Sequence, residues 1–447
     1  MAVAEIQLPA PGINTGPLSD ELLHDEAIDR VLAAVRGHLG LEIAFVSRYV
    51  DGGQRELTHV HTDLELPMGA GFREPMEESY CWHILEGRLP ELILDAVDHP
   101  FTKTLAITDF LPVGCHLNVP LKLSDGRVWG SFCALGREPD RTLGARDLNV
   151  VRAFASLAAE RIEASMAEEL ELTEARARVS EMLDGHAITI FHQPIHDLAT
   201  GEPMGVECLA RFPNTTRRGP DQWFEDAERV GLGVELEMAA VRAALETLGH
   251  VPGGKYVAIN ASPATILSGA LERELDVIDS EQVDLGRLVI EVTEHQQVPD
   301  FTVLSRKLAR LKERVRIAID DVGTGYSGLR HIVDLQPDIL KMDMALTRDI
   351  HRDPARRALT GALVQLARDI GCKLVAEGIE TVEERDAMAD LGVHYGQGYF
   401  FARPLPVVAA QRHMLGLAED DAAPDLSATE TRGDPTSNDQ PLLAANG

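Results

Sequence analysis

From Gly185 onward the chain repeats one pattern, a short β-rich run followed by a helical stretch, over about 230 residues. The runs are ITIFHQPI, MGVECLARF, YVAINAS, RLVIEVTE, RIAIDD, DILKMD, KLVAEGIE and GQGYFFA. Such alternation specifies a parallel sheet covered by helices, and at this length a closed β/α barrel of the α/β class. Ala199-Thr200-Gly201 reads as a hairpin turn, so the first two strands are expected to run antiparallel.

Polar residues in this half recur at one place, where a strand ends, and in a β/α barrel that face builds the active site. Side chains alternate along a strand, so GVECLARF puts Glu207, Leu209 and Arg211 on one side. Asn260 closes YVAIN, and Glu291 with Thr293 closes LVIEVT. Asp320 and Asp321 close IAIDD, Lys341 ends DILK, and Glu377 ends LVAE. Carboxylates converging with one Asn and one Lys in a half-buried mouth must take up protons or bind divalent cations. Oxygen ligands without His or Cys favour magnesium or manganese over zinc. Adjacent Asp320 and Asp321 allow two ions, an arrangement suited to displacement at a phosphate.

These motifs resemble the EAL family, bacterial phosphodiesterases that hydrolyse cyclic di-GMP to linear pGpG. The resemblance runs from about Ala187 to Pro406, and the signature tripeptide stands here as Glu207-Cys208-Leu209, with Cys for Ala. Cys208 is expected on the face opposite Glu207, with little effect on the site. The resemblance implies that Glu207, Asn260, Glu291 and Asp320 are metal ligands, with Asp321 serving a second magnesium or manganese ion. It also implies that Lys341 holds the attacking water and transition-state charge. Glu377 and Gln397 match groups at the metal–water centre, while Gln193 and Arg211 match contacts to base and phosphate. Glu294 matches a residue that ties down the catalytic loop DDVGTGYSGL, in which Val322 replaces a usual Phe and Gly328 a usual Ser. That loop helps form dimers in the family, so a homodimer is expected. The rival reading is a catalytically silent cyclic di-GMP receptor that signals to a protein partner, but such a receptor would be expected to lose ligands that are present here.

The first half reads as helix, hairpin, helix and two paired strands, an antiparallel sheet flanked by helices. Over about Glu21 to Ile162 it resembles a GAF domain, on the strength of HLNVPLKLSDGRVWGSFCALG, which identifies a fold and leaves the ligand unknown. Cys115-His116 precedes a strand directly, so bilin attachment is not expected; His59 and His61 share a strand face and read as a solvated edge. Between Ala145 and about Leu183 there is neither Gly nor Pro, and apolar residues recur every three or four positions, as in one long amphipathic helix.

The expected layout is therefore a lead-in over 1–20, a GAF-like domain over 21–162, a linking helix over 146–184, an EAL domain over 187–417 and a disordered acidic tail over 418–447. Ser19 is the expected cap of the first helix, over Leu22 to Leu39. Against 72 acids the chain has 42 Lys plus Arg, a net −30 that disfavours duplex nucleic acid as a partner. Its five scattered cysteines show no zinc-motif spacing and fit a reducing cytoplasm. Neither a signal peptide nor a membrane span is expected.

Overall fold

The computed structural model describes residues 25–213, 218–280, 284–292, 301–322 and 335–417. The lead-in, Ser19, Thr293, Glu294, the loop after Val322 and the tail lie outside the described residues. The chain divides into two compact units, Met1–Glu174 and Ala175–Gly447.

In the first unit, strands β1 (Ile43–Val50), β2 (Gln54–Thr62), β3 (Arg73–Pro75), β4 (Leu92–Ile93), β5 (Cys115–Lys122) and β6 (Val128–Gly136) form one antiparallel sheet. Their order is β3-β2-β1-β6-β5-β4. Every residue of β1 is buried, because it lies inside the sheet and both faces are covered. On one face Ile28, Leu32 and Val35 of helix Glu26–Leu39 pack with Phe132, Val151 and Ile162. Tyr80, Cys81 and Ile84 of helix Tyr80–Leu85 cover the other face, against Phe45 and Leu135. The first helix is capped by Asp25, whose carboxylate accepts the Ala27 N–H at 2.8 Å and pairs with Arg161 at 2.6 Å. His59 is not on a solvated edge. It is buried to 3% exposure on β2, which lies between β1 and β3.

One helix covers Ala145–Gly185, and the division between units falls within it. Its Ala175, Val179 and Met182 pack with Trp223, Ala227 and Leu236 of the second unit, residues that a domain starting at 187 would leave out. Among the described residues no helix is long and apolar enough to cross a membrane.

The second unit is a closed barrel. Its strands are β7 (Thr189–Asp197), β8 (Pro203–Arg211), β9 (Tyr256–Ala261), β10 (Leu288–Val292), β11 (Arg316–Val322), β12 (Ile339–Met342), β13 (Lys373–Ala376) and β14 (Tyr395–Gly396). β7 runs antiparallel to β8, β8 through β14 pair in parallel, and β14 closes on β7 through Tyr395 opposite Asp197. The strand that closes the barrel stops at Gly396 instead of spanning GQGYFFA. A Cβ on Gly398 would lie 2.2 Å from the Ile379 carbonyl oxygen, so the chain leaves the ladder there to pass against that backbone.

Strand alternation sorts the barrel interior into layers. The lower layer is apolar: Tyr256, Ala258, Val289, Ala318, Ile339 and Val375 form one buried cluster. Two residues further along the same strands stand Asn260, Glu291, Asp320, Lys341 and Glu377. Cys208 points the other way, into the layer between barrel and helices with Met238, Val241 and Ala244, as expected for the residue after Glu207.

Candidate active site

Lys341 is the centre of the polar layer. Its ammonium is 2.6 Å from Glu377 Oε1, 2.7 Å from Glu291 Oε2, 3.3 Å from Asp320 Oδ1 and 3.4 Å from Glu207 Oε2. At 1% exposure an unpaired ammonium would be costly, and the carboxylates offset that cost. Burial favours the neutral amine, but the charges of Glu207, Glu291, Glu377 and Asp320 outweigh it and hold Lys341 well above the ordinary lysine range.

The carboxylates do not share one environment. Burial pushes Glu291 well above the ordinary carboxylate range despite Lys341, with the charges of Glu207 and Asp320 adding to the rise. Glu377 is pushed up to about 7, first by burial and then, against the pull of Lys341, by Asp320 and Glu207. Glu207 is also buried, yet its carboxyl stays below the ordinary value because Lys341 and two amides hold the charged form. Asn260 Nδ2 donates to Glu207 Oε1 at 2.9 Å and Gln397 Nε2 donates to Glu207 Oε2 at 2.7 Å.

Register explains these meetings. Asn260 lies directly opposite Glu291 across β9 and β10, and Gln193 lies directly opposite Glu207 across β7 and β8. The Gln193 carbonyl accepts from Gln397 Nε2 at 3.0 Å, and its own Nε2 donates to the Ala402 carbonyl at 3.2 Å. Arg211, at the end of β8, places its guanidinium 5.5 Å from the centre of the Phe191 ring. The structure thus brings Glu207, Asn260, Glu291, Asp320, Lys341, Glu377, Gln193 and Gln397 into one cluster, and puts Arg211 against Phe191. For Asp321 only the backbone, within β11, is described. Sequence reading missed the Ala402 carbonyl and Gly398; the two glycines flanking Gln397 were the available signal.

With all four carboxylates ionised, four negative charges would face one ammonium, an excess of three. Burial first, and that excess second, raise the affinity of Glu291 and Glu377 for protons. Gln397 Oε1 is buried and has no hydrogen-bond partner among the described residues. An anionic, oxygen-rich set with an unsatisfied buried acceptor fits a hard divalent cation. Glu207, Asn260, Glu291 and Asp320 are the donors that would hold it.

Comparison with known proteins identifies the two domains. An EAL domain profile matches residues 176–404, and a GAF domain profile matches residues 22–163. The cyclic di-GMP phosphodiesterase PdeL of Escherichia coli K12 is 31% identical over 237 residues, covering 51% of this chain and 65% of PdeL. The probable cyclic di-GMP phosphodiesterase PdeB of the same strain is 31% identical over 236 residues, covering 51% of this chain and 45% of PdeB. The match thus spans less than two thirds of either relative. The EAL enzyme Bd1971, solved with cAMP and cyclic di-GMP, is 17% identical with a TM-score of 0.53, covering 83% of this chain and 93% of that one, a likeness of fold.

Proposed function

The chain belongs to the EAL-domain family and carries a GAF domain earlier in its sequence; from that premise we propose that it hydrolyses cyclic di-GMP to linear pGpG. The reaction depends on magnesium or manganese, two ions per site, and is governed by the GAF domain. One observation carries the reading: Glu207, Glu291, Asp320 and Glu377 converge on the buried Lys341 at the strand ends of the barrel.

Glu207, Asn260, Glu291 and Asp320 would hold the first ion, and Asp321 would serve the second. A bound pair would supply Lewis-acid polarisation of the phosphodiester and a nucleophile at neutral pH. Lys341 keeps its charge at working pH and is placed to stabilise negative charge developing on the phosphate. Glu377, 2.6 Å from the Lys341 ammonium at the end of its strand, is placed to exchange a proton with water. Gln193, held by Gln397 and the Ala402 carbonyl, orients a base, and Arg211 contacts a phosphate. Glu294 steadies the catalytic loop, and the working form is a homodimer. Helix Ala145–Gly185, in which the first unit ends and the second begins, carries the regulatory signal.

The test is a metal-stripped protein assayed for cyclic di-GMP binding and turnover in magnesium, manganese and calcium. Magnesium takes oxygens at about 2.0–2.1 Å in near-octahedral geometry, whereas calcium takes about 2.3–2.6 Å and up to eight ligands. Calcium should therefore support binding without turnover, because in-line attack tolerates little displacement. Equal turnover in calcium and magnesium contradicts the paired-metal reaction.

A further inference from the structure

Three residues far apart in sequence meet inside the first unit. Cys81 comes from helix Tyr80–Leu85, His116 from β5 and Cys133 from β6, and one ligand atom of each lies within 4.8 Å of the others. All three are buried, at 1%, 2% and 0% exposure. The register explains the meeting: Asn118 pairs with Cys133, so His116, Asn118 and Cys133 share the sheet face that helix Tyr80–Leu85 covers.

The two sulfurs are 3.2 Å apart, well beyond a disulfide bond of about 2.05 Å. Two thiolates on a tetrahedral zinc, each at about 2.3 Å, stand about 3.8 Å apart, so a small spread admits an ion. Each sulfur already accepts an N–H. Arg55 Nη1 donates to Cys81 at 3.0 Å and Asn118 Nδ2 donates to Cys133 at 3.3 Å. Donors of this kind orient and stabilise metal-bound thiolates. Arg55 is paired with Glu74 at 2.6 Å, which offsets part of its charge beside the site. The His116 Nδ1 and Asn118 Oδ1 atoms are buried and find no hydrogen-bond partner among the described residues. Cys81 and His116 also line an apolar cavity bounded by Phe45, Leu57 and Leu135, which leaves an outer position for a small further ligand.

We propose that Cys81, His116 and Cys133 form a binding site for a thiophilic divalent transition ion of the zinc type. Two thiolates and one neutral imidazole select such an ion over magnesium or calcium. On binding, the ion displaces the thiol protons to solvent, two thiolates cancel its charge, and the buried set becomes neutral. This site differs in class from the oxygen-lined barrel site and does not depend on the function proposed for that barrel.

The test uses the full-length chain, reduced and stripped of metal, titrated with Co²⁺ in excess Mg²⁺. A sulfur-to-cobalt charge-transfer band saturating at one equivalent and bleached by Zn²⁺ is expected. It should fall to background in Cys81→Ser and in Cys133→Ser, and shift in His116→Gln. Because buried substitutions can prevent folding, the converse chain with Cys115→Ser, Cys208→Ser and Cys372→Ser is measured too, and it should keep the band. No band in the wild-type chain, a band that survives both Cys81→Ser and Cys133→Ser, or its loss in the converse chain overturns the site.

Discussion

Lys341 and its four carboxylates are held by each other more than by any one strand. Removing Glu207 deletes a ligand-type oxygen pair and also the acceptor for Asn260 and Gln397. Glu207→Ala should lower turnover by about 10²–10³-fold or more, the size of losing one preorganised charge-stabilising group, while circular dichroism stays that of a folded barrel. A second residue contributes to acid stability. His192 is 1% exposed and hydrogen-bonded to Thr247 at 2.8 Å, and burial, with His250 as a lesser cause, lowers its imidazole to about 4. Unfolded, it titrates near 6.5, so the unfolded chain binds more protons between these values and stability rises with pH there. The contribution is complete above the unfolded value and lost as pH falls to about 4, roughly 3 kcal/mol in all. Urea denaturation of His192→Gln across this window should show a flatter pH dependence than the wild-type chain; parallel curves would contradict the assignment.

The barrel and its polar rim were legible in the sequence for one reason. On parallel strands of period two, a ligand-type residue at the strand end sits two positions beyond an apolar one, as in Val289-Ile290-Glu291 and Ile339-Leu340-Lys341. Pattern alone was silent on Gln193 and Gln397, because their roles depend on how β14 closes against the antiparallel β7, and only the family resemblance pointed to them. The same limit hid Cys81, His116 and Cys133, whose meeting is set by strand register and a helix overhead and not by spacing. It also misled the reading of His59, since a neighbouring strand as short as β3 left no alternation to detect. At the closure, Gly398 lets the chain pass the Ile379 backbone, whose N–H donates to the Gln397 carbonyl at 3.0 Å. Gly398→Ala should destabilise the barrel by about 1–3 kcal/mol through overpacking. It should also reduce turnover by displacing Gln397. Thermal melting and turnover together check this, and an unchanged melting temperature would show that the contact is not tight.

At the scale of the whole molecule, the end of the long helix matters to the barrel. Val179 and Met182 bury against Trp223 and Leu236, and Arg178 pairs with Asp226 at 3.0 Å. A chain starting at Ala175 should therefore be more stable than one starting at Ala187 by about 3–6 kcal/mol, at about 1.5–3 kcal/mol for each large apolar side chain buried. Urea midpoints of the two truncations measure this, and equal midpoints would place the helix end outside the barrel's fold. The chain from Ala175 should keep catalysis and lose regulation; a folded but wholly inactive barrel would mean that the first unit supplies part of the site. The most direct measurement is the simplest. Purified full-length protein is incubated with cyclic di-GMP and magnesium, and the nucleotides are separated and identified. Conversion to linear pGpG is the expected result, whereas tight binding with cyclic di-GMP recovered intact would contradict hydrolysis and make the chain a receptor.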